Sequence, residues 1–152
     1  MPLTTIIDAI VTQLQQVPGI GQVLAYSRYT ESEQQRIATY VSNGVLNAWI
    51  VTRDSTAAHD RGVGPLNVRD RHQIVIEGFR AVTQAANSEQ LHQDLVEAVR
   101  TQLHNNRELP GGAGWLSTPV QVEAFNAVMF FGAVLCWHAK LSVIGEEVKQ
   151  GG

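Results

Sequence analysis

The chain has 152 residues, 44% of them hydrophobic and 16% charged, which fits one globular domain built on a single core. A formal net charge of -3 excludes a protein that grips nucleic acid through a broad basic face, since that footprint makes a domain strongly basic. One cysteine, Cys136, excludes an intramolecular disulfide framework, and the start, MPLTTIIDAI, has no basic segment and no continuous apolar run, so it reads as neither a signal peptide nor a membrane span. The chain is therefore expected to be cytoplasmic when made.

Taken in order, Leu3, Ile6, Ile7, Ile10, Val11, Leu14 and Val17 recur at three- and four-residue spacing, and Pro18-Gly19 ends the run, which predicts an amphipathic helix. Gly21 to Tyr29 is short, carries Tyr26 and Tyr29, and reads as an edge strand. Ile37, Tyr40 and Val41 in a polar background predict a short surface helix over Glu31 to Val41, an insertion between strands. Asn43-Gly44 is a turn signal, and the β-branched and aromatic run after it, Val45 to Arg53, is expected to pair with a strand over Arg69 to Ala81. In that second strand His72, Ile74, Ile76 and Gly78 fall on one side and Gln73, Val75, Glu77 and Phe79 on the other. Between the two lies Asp54 to Val68, rich in Gly, Pro, Asp and Asn and without a usable period, which is expected as a long loop. Loops of that length in a compact domain are usually functional or ordered only on binding.

The period then changes. Asn87 or Ser88 is placed to cap a helix whose apolar stripe is Leu91, Leu95, Ala98, Val99 and Leu103. Asn105 to Pro119 is irregular, with a Pro-Gly-Gly stop and a lone Trp115. Pro119 to Ala127 and Gly132 to Ile144 give the last two strands, the second with Leu135, Trp137, Ala139, Leu141 and Val143 facing the helices. The sum is an α+β fold: a mostly antiparallel sheet of four to five strands with two helices packed on one face. It forms a single domain over residues 1–145 with a long loop at 54–68, followed by a flexible C-terminal tail at 146–152. The opposite sheet face would include some of Trp49, Val51, Val75, Phe79, Cys136 and Ile144. A monomer would leave that surface poorly covered, which points to a partner or to sister subunits.

The residues that carry chemistry do not assemble into a familiar constellation. None of the five histidines, His59, His72, His92, His104 and His138, has a second His or Cys at ligand spacing, so no metal is expected; His72 and His138 read as strand residues and the others as solvated. A lone thiol in an apolar strand reads as packing, because burial makes it inert. The glycines at 62–64 and 111–114 match neither a phosphate loop nor a dinucleotide fingerprint. No catalytic residue and no cofactor is expected. What remains is a cluster, Arg53, Arg61, Arg69 and Arg71 set against Asp54, Asp60 and Asp70, whose alternating charge suits ion pairs between proteins better than phosphate tracking, although an ordinary exposed loop would look similar. Trp115 is a candidate interface anchor, or else folds back to close a core edge.

The amphipathic first helix, the segment WIVTRDS at 49–55, the segment RHQIVIEGFRAV at 71–82, the helix SEQLHQDLVEAVRTQL and a closing strand pair together resemble the tail terminator and tail completion proteins of long-tailed bacteriophages. The resemblance implies a small α+β subunit without catalytic residues that assembles into a ring, typically hexameric. Such a ring caps the tail tube, presents a surface to the head-tail connector or neck, and lets DNA pass through its lumen without sequence-specific binding. It implies a virion location, with the loop at 54–68 ordering on contact and Arg53, Arg61, Arg69 and Arg71 at or near contacts. The alternative from another class is a small α+β ligand-binding or regulatory domain that dimerises through its sheet.

Overall fold

The computed structural model describes residues 3–25, 41–42, 45–60, 67–82, 88–109, 114–131 and 134–150. Helix α1 (Leu3–Gln15) buries Ile6, Ile10 and Leu14 completely, as its three- and four-residue spacing requires. After it, β1 (Gln22–Leu24) and β2 (Val41–Ser42) are short, and both lie along β3 (Val45–Asp60). A long ladder joins β3 to β4 (Asn67–Ala81). Helix α2 (Ser88–Asn105) follows, then the short β5 (Glu108–Leu109) and β6 (Gly114–Leu116), and finally β7 (Gln121–Phe131) and β8 (Val134–Gln150).

The fold is α+β with a mostly antiparallel, strongly curled sheet. Six strands run in line as β1-β3-β4-β8-β6-β5, while β2 pairs with β3 and β7 with β8, so the sheet is larger than the four or five strands expected. Only β1 runs parallel to its neighbour, and it stands at the edge of the strand order. Two of the extra strands come from the stretch read as irregular: β5 and β6 are two and three residues long, too short for a two-residue period to show, and β2 is as short. The expected surface helix at 31–41 lies outside the described residues except for Val41, which opens β2.

Both helices cover one face. Ile6, Ile10 and Leu14 of α1 and Leu95, Val96, Val99 and Leu103 of α2 form one core with Trp49, Val51, Ile74, Ile76, Ala139, Leu141 and Val143 of the sheet. Gln102 Nε2 donates to Gln13 Oε1 at 2.9 Å and ties the two helices together where Gln13 is buried. The stripe on α2 keeps Leu95, Val99 and Leu103 as expected but takes His92 and Val96 in place of Leu91 and Ala98. Val96 is buried and Leu91 is exposed, because His92, not Leu91, starts the series His92, Leu95, Val96, Val99, Leu103 that lies against the sheet.

Two further expectations fail at the same end of the molecule. The supposed loop at 54–68 is mostly strand: β3 continues to Asp60 and β4 begins at Asn67, paired in register from Ser55–Gln73 to Asp60–Val68. The ladder shifts register between Arg53 and Ser55, and this bulge breaks the alternation that a reading of the sequence follows. The supposed flexible tail is also strand through Gln150, since Glu146 to Gln150 pair with Arg71 to Asn67. Polar composition misled here, because these residues are held by a backbone ladder and not by apolar burial.

The sheet face away from the helices is not left open. Val75, Phe79 and Cys136 are 8%, 6% and 0% exposed within the single chain, and Ile50 is buried beside them, whereas Trp49 and Val51 belong to the helix-covered core. The sheet is strongly curled, and these side chains are buried without a second chain.

Candidate functional site

Cross-strand partners share a face, and the ladders place two of the sequence-predicted residues, Arg71 and Trp115, in one row with Glu146 between them. Across five strands, Glu108 of β5 stands opposite Trp115 of β6, Trp115 opposite Glu146 of β8, Glu146 opposite Arg71 of β4, and Arg71 opposite Ala57 of β3. This row lies on the face away from the helices, since the neighbouring Leu116, Gly145 and Leu109 point into the core. Glu146 is 3% exposed, and its Oε1 lies 3.6 Å from Arg71 Nε, a charged pair whose acid is buried while its base is half open. Trp115, half-buried, is a strand residue that flanks this pair on the β6 side.

Arg53 belongs elsewhere. It is exposed at the bulge, and its Nη1 donates to Thr56 Oγ1 at 3.3 Å, while that hydroxyl is hydrogen-bonded at 2.8 Å to Nδ1 of the buried His72. Arg69 is placed in β4 opposite His59 and Val148, and Arg61 lies outside the described residues. Arg53, opposite Ile74, and Arg71, opposite Ala57, therefore lie on different faces of the ladder. Arg53 and Arg71 sit on the same polar extension of the ladder but not in the same cross-strand row.

That extension is the distinctive feature of the surface. Along β3, β4 and β8 the core ends at Val51, Ile74 and Val143, yet the three strands run on together to Asp60, Asn67 and Gln150. The described helix-side side chains there are the exposed Arg53 and Thr56 and the buried His72 and Asp70. Past Gly145, which still lies against Ile6 and Leu116, a three-stranded arm thus continues the sheet for about 15 Å. At the opposite end, Val82, Leu91, Val128 and Leu135 are the large apolar side chains exposed among the described residues.

A second cluster was not foreseen. On the face away from the helices, His138 Nε2 donates to Glu77 Oε2 at 3.0 Å, the Phe79 ring lies 4.9 Å from the imidazole, and Lys140 Nζ is 3.4 Å from Glu123. The His138 hydrogen bond holds the Glu77 carboxyl below the ordinary glutamate range, against partial burial, with the His138 and Lys140 charges adding to the effect. The sequence placed Glu77 and His138 on two separate strands, and only the pairing of β4 with β8 brings them together. His92, read as solvated, is 1% exposed, and His104 uses Nε2 to accept from the Val120 amide at 3.1 Å. Among the described residues, no three His, Cys, Asp or Glu side chains converge to hold a metal ion. Cys136 is buried.

No protein-family model matches this chain, and no curated protein does.

Proposed function

We propose that this protein is a structural virion subunit that forms a ring terminating a phage tail tube and joins it to the head or neck. The observation that carries the reading is the directional ladder: a helix-covered core at one end, and beyond it a three-stranded polar arm extending one way only. A subunit that sits between two different axial neighbours needs two unlike ends, and its lateral contacts need a third surface; the arm supplies an axial reach and the exposed apolar end is available for sister copies. Head-to-tail contact between copies closes a ring when the rotation permits. The net charge of -3 suits a lumen that passes DNA without gripping it. The buried face removes the original reason to expect contact through the sheet surface, and it equally weakens the alternative of a regulatory domain dimerising face to face. Among the described residues, no helix is long and apolar enough to cross a membrane.

The test is light scattering of the purified protein over a wide concentration range, with negative-stain images taken with and without tail tubes. Rings, free or seated on tube ends, are expected. A monomer under every one of these conditions would overturn the proposal.

A further inference from the structure

The exposed apolar end has a chemistry that specifies its partner. Val82 donates its amide to the Leu135 carbonyl at 2.9 Å, so the two are cross-strand neighbours. Val128 stands opposite Trp137, two residues along the same face from Leu135, and Trp137 in turn stands opposite Arg80. Val82, Val128 and Leu135 are therefore one contiguous patch on the helix side of the sheet, at 37%, 50% and 39% exposure, with the half-buried Arg80 beside it. Among the side-chain cations whose surroundings are described, Arg53, Arg71, Arg100, Arg107 and Lys140 each have a hydrogen bond or ion pair. Arg80 has neither.

The remaining exposed apolar residue, Leu91, lies on the outer side of α2, and the exposed Asp94 is three residues on, so the two share a ridge. One surface thus offers aliphatic side chains with an unpaired guanidinium, and the other an aliphatic side chain with a carboxylate, one oxygen of which accepts from Gln90 at 2.9 Å. We infer that the occupant of the Val82, Val128 and Leu135 patch is the α2 ridge of a second copy, with Leu91 seated on the aliphatic residues and Asp94 paired to Arg80. This rests on the ring reading and deepens it. The two surfaces differ, so a contact repeated head-to-tail from copy to copy would cover all four of the large apolar residues exposed among the described residues.

The experiment is a charge-swap cycle read by sedimentation and native mass spectrometry, with thermal melts confirming that each variant folds. Arg80→Glu, Asp94→Arg and Leu135→Glu should each weaken assembly by a factor on the order of ten or more, and the Arg80→Glu/Asp94→Arg double variant should restore most of it. If the native protein assembles and the three single variants assemble equally well, the inference fails while the ring reading stands. It fails too if the single variants lose assembly and the double variant does not recover. A native protein that never associates would overturn both.

Discussion

Gly78 stands directly opposite Trp49 in the β3–β4 ladder, and the indole lies over it so closely that a Cβ on residue 78 would be 2.7 Å from two ring carbons. The glycine is needed for that space, at a core position where Trp49 is 1% exposed. Gly78→Ala should cost about 1–3 kcal/mol by overpacking. Shrinking the partner with Trp49→Phe removes the ring atoms in conflict, so the double variant should lose less than the sum of the singles in urea denaturation. Strictly additive losses would show that the ring does not depend on the glycine.

The phase of α2 can be checked with like for like. Leu103→Ala, at a fully buried position, should cost about 2–5 kcal/mol, whereas Leu91→Ala should stay within about 0.5 kcal/mol in the unassembled chain. Similar losses at both sites would mean that the helix lies in the phase suggested by its leucines.

The Glu77–His138 pair predicts a pH dependence with a definite sign. The folded carboxyl titrates below its unfolded value, so its contribution is complete above the ordinary glutamate range, about pH 4.3, and is lost as pH falls through the lower folded value. Glu77→Gln should therefore reduce stability near pH 6, by no more than about 1 kcal/mol because the side chain is partly in water, and the difference from the native chain should shrink toward pH 3. A difference that grows on acidification would contradict the assigned cause.

Hydrogen exchange reports directly on the arm. Amides of 55–60, 67–73 and 146–150 that lie in the ladder should be protected in the free subunit, and Glu146→Gln should cost about 1–3 kcal/mol by leaving Arg71 with a weaker partner at a buried position. Exchange at the rate of an unstructured peptide across 146–150 would put the end of β8 back in solvent.

Where the sequence was readable, burial and period agreed. The isoleucines of α1 and the alternation of Ile74, Ile76 and Gly78 announce their faces because each position on the core side is apolar or is a glycine under a ring. Where strands continue as polar residues, that signal vanishes although the hydrogen-bonded ladder does not, which is why 54–60 and 146–150 were misread. Leu91 was misread for another reason: His92 is polar by type and buried by position, so it hides the true phase of its helix. The row from Trp115 through Glu146 to Arg71 and the pair of Glu77 with His138 depend on register between residues 31 to 75 positions apart, and no local pattern encodes register.

The position of β8 sets when this chain can take shape. It pairs with β4 along one edge and with β7 and β6 along the other, so three strands lack a neighbour until residues 134–150 have been synthesised. The ladder to β4 spans the whole of α2 and the strands after it, and such distant pairings are slow to form. A nascent chain therefore holds an unfinished sheet on the ribosome until translation has passed that strand.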